Sequence, residues 1–428
     1  MIPADTTVPL ISESCDSLSF TDQITTVENK KYVSAFANFM NLLNLMHGSG
    51  MLTISSSFVD SGIWPSLIFF FFSAISCWLI AIMMMKIETK LNTDMFGEMV
   101  QLTLGKIGTI VLDIAIAIFC YGCLISYIII GGNTVNSWLD LFEFKKTYWI
   151  EKIVTLSYAL LIPVLFTIPR KLGFLSAFST FSVFCLFVYV FVVYYEAIKI
   201  LPRQGIAPTV DIGTPKIGIL NAFSLYLLSF SLAAFVLPVL SVSEPVFKQR
   251  VISMSLSFLC CVTFVGSTGI LGYLMYGADV EANLLESFDS SEPIIIFVRI
   301  CFFFVISATY PVIAMTIEQT FSLDFFKEKD VNSLPNLKRN IILLIVNTPP
   351  VILGIFLPSI RPAMSIGGAF SGGLTNFIFP PLIWIKCSGQ SKKHWTSIGC
   401  YIIVAFGVVV TVLCTYETVL DAIKQFTS

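Results

Sequence analysis

Charge is what this chain most lacks. Only 12% of its 428 residues are Asp, Glu, Lys or Arg, about half the share a soluble protein carries. So few charges cannot cover a water-facing surface, and 56% of the residues are hydrophobic, with a mean hydropathy of +0.86. A soluble globular fold is excluded, and a polytopic membrane protein is predicted. Histidine is scarcer still: His47 and His394 are the only two. HExxH, GxSxG and the phosphate-binding GxxxxGKS/T are absent, as is a pair of intramembrane aspartates. No hydrophilic segment is long enough for a nucleotide-binding domain. An enzyme and a nucleotide-driven pump are both disfavoured, and no metal or resident cofactor is expected. Cysteine is missing from the loops assigned outside, which leaves no extracellular disulfide framework. Cys120 and Cys123 form a CxxC inside an apolar run, where packing explains them. Asn-x-Ser/Thr acceptors are missing, and the polar start has no basic-then-apolar leader, which argues against a cleaved signal peptide.

What is present is apolar sequence in lengths that fit a bilayer. A hydrocarbon core needs about 20 consecutive apolar residues in helical form. That ruler predicts about eleven spans, near 35–58, 63–85, 107–137, 150–168, 172–198, 218–242, 250–276, 292–318, 340–357, 363–385 and 397–418. The alternation of a membrane barrel strand is absent, so the spans are helices, which satisfy their own backbone in lipid. Residues 1–34 read as a disordered cytosolic tail and 35–428 as the transmembrane domain. With the N-terminus in the cytosol, sixteen of the 25 Lys and Arg fall on the cytosolic side. The positive-inside bias therefore favours that orientation.

Several spans carry polar groups at mid-depth. The first contains NLLNLMHGSG, Asn41 to Gly50. Small residues there could let helices approach closely. Alternatively, two glycines around a serine could break the helix, aiming bare N–H groups at an anion and freed carbonyls at a cation. Span 1 alone leaves both readings open. Span 6 combines Ser224, Ser229 and Ser231 with Ala233, Ala234 and Pro238, span 8 holds SATYP from Ser307 to Pro311, and span 10 holds SIGGAFSGGLTN from Ser365 to Asn376. Four softened midpoints in one chain suggest a polar cavity. Charges within spans are few, and Asp113, Arg299 and Glu318 among them lie close to a span end, as readily interfacial as functional.

NLLNLMHGSGMLTISSSFVDSGIW resembles the first-span signature of the amino acid/auxin permease family, especially its sodium-coupled neutral and vacuolar amino acid transporter branch. Asn41, Asn44, Gly48, Ser49, Gly50, Leu52 and Gly62 occupy the signature positions. TDMFGEMVQLTLGKIG, DIAIAIFCYGCLISYIIIGG, VLPVLSVSEP, GILGYLMYGADVEANLL and SATYPVI resemble later family segments in order. The resemblance implies eleven spans in a five-plus-five inverted repeat, with spans 1 and 6 broken at the midplane. It also implies an amino acid substrate, bound by Gly48, Ser49, Gly50, Tyr127, Phe230 and Ser231. The coupling ion, sodium or proton, would meet Asn44 and either Ser307 or Thr309. Departures from the family pattern include Glu318, where a basic residue is frequent after the span 8 proline, and Ala233 and Ala234, where a polar residue often precedes VLP.

The reading is a secondary active transporter of neutral amino acids, working by alternating access as a monomer in a plasma, vacuolar or lysosomal membrane. The alternatives are an amino-acid-sensing receptor of transporter ancestry and a channel for a small neutral solute. No nucleic-acid partner is expected.

Overall fold

The computed structural model describes residues 32–46, 50–143, 147–170, 176–214, 216–241, 243–328, 330–391 and 393–427, with backbone only at 176–180 and 426–427. The described residues are overwhelmingly helical, and their one β contact is an isolated parallel bridge between Val33 and Ser243. The helices are α1 Ala35–Met46, α2 Gly50–Ser57, α3 Ile63–Leu91, α4 Phe96–Leu141, α5 Tyr148–Ala159, α6 Ser176–Gln204, α7 Ile219–Phe230 and α8 Val236–Ser241. They continue as α9 Phe247–Tyr276, the single turn α10 Leu284–Ser287, α11 Pro293–Phe321, α12 Asn336–Phe356, α13 Arg361–Ile366, α14 Phe379–Cys387 and α15 Trp395–Thr427.

Eight helices among the described residues are long and apolar enough to cross a bilayer, and they coincide with expected spans 2, 3, 4, 5, 7, 8, 9 and 11. The other three expected spans are assembled from shorter pieces. Span 1 is α1 and α2, span 6 is α7 and α8, and span 10 is α13, a π-helical stretch Gly367–Ile378 and α14. Side chains such as Ile68, Leu79, Leu161, Ile198, Leu344 and Val412 are more than half exposed or close to it, on helix faces with no protein neighbour. Lipid is the solvent for which such a surface is suited. The chain is an integral multi-pass membrane protein.

The expected boundaries hold at mid-span and lengthen at the ends. Span 3 illustrates why. Gly105 adopts φ +75° inside α4 and separates a short amphipathic segment from the membrane helix. A Cβ there would meet nothing within 4 Å, so the conformation, rather than space, asks for glycine. Of the expected tail, residues 1–31 lie outside the described residues. Val33 is described and pairs with Ser243 at the end of span 6.

Packing partners recur at an offset of five spans. Span 2 lies on span 6 (α3 on α7), and span 7 lies on span 1 (α9 on α1 and α2). Span 3 meets span 10 as span 8 meets span 5, and span 9 meets span 3 as span 4 meets span 8. A five-plus-five repeat produces this pattern, although the two halves share no visible sequence symmetry.

Candidate functional site

Span 6 is open at its middle. Helix α7 ends at Phe230, Ser231 turns extended with φ −70° and ψ 99°, and α8 begins only at Val236. The backbone bonds there run from Ser231 N–H to the Leu228 carbonyl, then from both Phe235 and Val236 N–H to the Leu232 carbonyl. Among the described residues, the carbonyls of Ser229, Phe230 and Ser231 thus accept no backbone N–H. They form the negative end of the α7 dipole. Pro238 explains part of the break, because it cannot donate to the carbonyl of Ala234.

Span 10 faces this gap with a widened helix. Four glycines soften Gly367–Ile378, and Pro380 and Pro381 remove the donors that would follow. Side chains bond carbonyls in the widened turns: Thr375 Oγ1 donates to the Ser371 carbonyl at 2.8 Å and Asn376 Nδ2 to the Gly372 carbonyl at 2.9 Å. Asn376 Nδ2 also donates to Ser231 Oγ at 3.1 Å, and the Thr375 and Ser231 hydroxyls lie 3.4 Å apart. Asn376 is fully buried, and its Oδ1 has no protein partner. Ser231 was singled out from sequence, whereas Thr375 and Asn376 were not. Their signal was the end of SIGGAFSGGLTN, where hydroxyl and amide follow the glycines.

Gly50, the first described residue of α2, sits against Ser229 of α7. A Cβ on Gly50 would fall 2.6 Å from Ser229 Oγ. The beginning of α2 and the end of α7 are therefore neighbours. His47, Gly48 and Ser49, which include two of the expected carboxylate donors, lie outside the described residues. Phe230 is fully buried, with its ring 5.1 Å from that of Phe70 on α3 and 6.5 Å from that of Phe258 on α9. It joins spans 2, 6 and 7. Tyr127 is buried on α4, one turn from Cys123, which with Cys120 is a buried free thiol. Ser307 shares a 3.1 Å hydrogen bond with Tyr158 of α5, and Thr309 donates to the Val305 carbonyl of its own helix at 2.7 Å. Asn44 is half-buried on α1. The structure thus brings together Gly50, Phe230 and Ser231, while Ser307 and Thr309 bond within spans 4 and 8.

Charged ties hold both ends. At one end Asp60, just past α2, pairs with Arg361 at the start of α13. Burial pushes the Asp60 carboxyl up to about 6, against the pull of Arg361. Nearby, Asn221 of α7 donates to Asp421 of α15 at 3.0 Å, and Ser57 donates to Tyr226 at 2.9 Å. At the opposite end Arg250 pairs with Glu88 at 3.0 Å and donates to the carbonyls of Ser243 and Glu244, both at 3.1 Å. Arg299 is buried, and donates to the Leu285 carbonyl and to Ser290 at 2.7 and 2.8 Å, so it is an interfacial tie. Among the described residues no His, Cys, Asp or Glu cluster could hold a metal.

Residues 31–420 match the family model described as transmembrane amino acid transporter protein. The chain belongs to that family. The family is one of transporters, not enzymes, and its substrates are amino acids. Among relatives, the amino acid transporter AVT1J of Arabidopsis thaliana is 25% identical over 403 residues, covering 90% of each chain. Sodium-coupled neutral amino acid transporter 7 of Danio rerio is 22% identical, covering 78% of this chain and 75% of its own. Among solved structures, the manganese transporter of Eremococcus coleocola superposes with a TM-score of 0.55 at 14% identity, over 91% of this chain and 86% of that one. That likeness concerns the fold alone. It matches this member of the amino acid transporter family to membrane transporters through nearly its whole length.

Proposed function

We propose that the protein is a secondary active transporter of neutral amino acids that works by alternating access and is driven by a sodium or proton gradient. The observation that carries this reading is the juxtaposition at Gly50 and Ser229. It sets the start of α2 beside the open carbonyl end of α7, where Ser231, Thr375 and Asn376 supply neutral polar groups. In this reading the N–H groups of Gly48, Ser49 and Gly50 would receive a carboxylate. The unpaired carbonyls at Ser229 to Ser231 and the Asn376 Oδ1 would receive the ammonium. Tyr127 and Phe230 would bound the side chain. No full charge among the described residues lies at this depth, which supports neutral substrates, since a charged side chain would need a counter-charge there.

For the coupling ion we assign Asn44 with Ser307 or Thr309. The Thr309 hydroxyl gives its proton to Val305 and retains lone pairs for a hard cation. The chain would act as a monomer, with its N-terminus in the cytosol, in a plasma or a vacuolar or lysosomal membrane.

The test is uptake into proteoliposomes of a panel of radiolabelled amino acids, under sodium and proton gradients imposed separately. Uptake that follows one gradient and is lost in Asn376→Leu supports the proposal. Binding of an amino acid without uptake under either gradient would replace it with the receptor reading, and gradient-independent flux with the channel.

A further inference from the structure

Glu318 is 3% exposed and lies one turn before the end of α11. Its Oε1 is sealed from solvent, and nothing among the described residues donates a hydrogen bond to it. An ionisable group buried in a span is costly and marks a functional site by default. The carboxyl lines a cavity of about 10 Å³ together with Arg339, Arg170, Thr167 and Asn332. That is room for a single water-sized group, too little for an amino acid or a hydrated ion. Two guanidinium groups in the lining oppose a bare metal cation, and the carboxyl opposes an anion. What this acid can exchange is a proton.

The groups around it are placed to respond to that proton. Arg339 of α12 is buried and donates through Nη2 to the Thr167 and Ile168 carbonyls at 3.3 and 2.8 Å, while its Nε has no partner. Arg170 is held by the carbonyls of Asn332 and Leu334 and by Asn336 Oδ1. Among the described residues neither arginine bonds the Glu318 carboxyl, the arrangement that a neutral acid allows. An ionised Glu318 would draw the free Nε–H of Arg339 to itself, pulling on the contact of span 9 with span 4. The other described charges around α11 are directed elsewhere. Asp113 of α4 faces Asp324, and Lys338 of α12 stands 5.0 Å over the Phe326 ring. Lys199 of α6 joins Glu196 to Glu292 at the opposite end of α11.

A polar chain leads from mid-span toward this carboxyl. Ser307 shares its hydrogen bond with Tyr158 at 3.1 Å, and its carbonyl lacks a helical donor because Pro311 has no N–H. One turn on, Tyr310 donates to Asn347 Oδ1 at 3.0 Å, and Asn347 Nδ2 donates to Thr167 Oγ1 at 3.3 Å. The carbonyl of that same Thr167 holds Arg339 at the Glu318 cavity. Ser307 and Glu318 lie on one face of α11, about 16 Å apart along its axis. We propose that Glu318 is the proton-binding group of the transport cycle, loaded along this chain and emptied at the Arg170 and Arg339 end, one proton for each amino acid. This rests on the transporter reading above and names its coupling ion. With the proton on Glu318, Arg339 stays on the Thr167 and Ile168 carbonyls; with the proton gone, it turns to the carboxylate. Protonation thereby biases the contact between spans 4 and 9, as coupling requires.

The experiment compares two assays on proteoliposomes of the full chain, with radiolabelled alanine, leucine and glutamine. Exchange at equal pH needs no net proton movement, whereas accumulation under a pH gradient does. With the membrane potential clamped at zero and a gradient of about one pH unit, one coupled proton accumulates its substrate up to about ten-fold. The unaltered chain should approach that ratio and carry protons inward, read with a trapped pH dye. Glu318→Gln, whose amide stands for the protonated acid, should keep the melting temperature and the exchange rate, but accumulate nothing and move no protons. Glu318→Asp, which keeps an acid, should still accumulate, with a displaced pH profile. Accumulation retained in Glu318→Gln would overturn the proposal, as would an Asp variant with an unchanged profile. Exchange and accumulation lost together in folded Glu318→Gln would reduce the residue to a structural role. Accumulation driven by sodium without proton entry would overturn the proposal and leave the transporter reading standing. No exchange by the folded, unaltered chain would reject that reading, and the proposal with it.

Discussion

Replacing Gly50 by alanine separates packing from backbone breakage as the reason for this glycine. In an unobstructed helix, Gly→Ala stabilises by about 1 kcal/mol. Here the added methyl falls 2.6 Å from Ser229 Oγ, 3.4 Å from its Cβ and 3.5 Å from its Cα. Non-bonded carbons settle at about 3.5–4 Å, so only the first contact is severe. The hydroxyl has little freedom to retreat, because it donates to the Leu225 carbonyl at 2.9 Å. Overpacking of this kind costs about 1–3 kcal/mol, enough to reverse the sign of the propensity gain.

Ser229→Ala should by itself be nearly neutral, since the lost bond is a local one within α7. It also removes the atom at 2.6 Å and leaves the 3.4 Å contact as the nearest. The double variant should therefore recover most of the loss, with a coupling of about 1–2 kcal/mol in a double-mutant cycle. Chemical or thermal unfolding in detergent measures the stability arm, and proteoliposome uptake the functional arm. A stabilised or unchanged Gly50→Ala protein would refute the close-approach reasoning, as would a loss that Ser229→Ala fails to repair. Stability restored without uptake would place the importance of Gly50 in its backbone N–H, beyond packing.

Three further outcomes are expected. Asp60 faces Arg361, Lys216 and Asp421, and burial raises its carboxyl from 3.8 to about 6. Between those values the folded chain binds more proton than the unfolded one. This group's contribution to stability therefore falls as pH rises through that window. Melting curves from pH 4 to 7 should show the unaltered chain gaining on Asp60→Asn as acid is added, and parallel curves would contradict this. Asn376→Ala should cut uptake at least ten-fold and cost about 1–3 kcal/mol of stability, because its Nδ2 loses the bonds to Ser231 Oγ and the Gly372 carbonyl; uptake within two-fold of normal would remove it from the substrate site. Arg250→Lys should destabilise by about 1–3 kcal/mol, because one ammonium cannot reproduce the fork that meets Glu88, Ser243 and Glu244; an unchanged unfolding midpoint would show the tie to be idle.

Much of the fold was legible because bilayer-length apolar runs are local signals. The eight single-helix spans follow from them directly. The opening of span 6 was also legible, through its serines, its alanine pair and Pro238, and it lies at Ser231–Phe235, as that composition allows. What the sequence could not reveal is pairing across distance. Phe230 meets Phe70 and Phe258, Asp60 meets Arg361 and Ser231 meets Asn376, all through folding that joins remote segments. The π stretch of span 10 was only half legible. Its glycines announced a soft helix, but the i→i+5 register depends on the two prolines beyond it and on side chains bonding the carbonyls. The tie at the end of span 6 was not legible either, since Arg250 makes it through the Glu244 backbone carbonyl and the Glu88 carboxylate.

Polar groups in this protein are sorted by depth, and the sorting bears on how a transport cycle would run. Charges sit at the two ends, in Asp60–Arg361 at one and Glu88–Arg250 at the other, where part of each pair is exposed. Neutral dipoles occupy the middle, around Ser231, Thr375 and Asn376. A midplane charge would cost several kcal/mol whenever the site emptied, whereas hydroxyls and amides can bond one another until a substrate replaces their partners. Under the proposed function the Ser231–Asn376 bond is such a place-holder. The end ties differ in what they join. Asp60–Arg361 links the end of span 1 to the start of span 10, and Arg250 links the end of span 6 to span 2. Beside the Glu88–Arg250 tie lies a cavity of about 300 Å³, lined in part by Asn38, Ser243 and Arg250, with the buried Asn38 Oδ1 unpartnered. Both ties are made in this structure, and the cavity lies at the Glu88–Arg250 end. Under the proposed cycle, opening either end must break one tie while keeping the other. A ligand drives that choice only by binding the two arrangements unequally. The groups able to supply the difference are those at the span 6 break, which exchange bonds with the substrate and with one another.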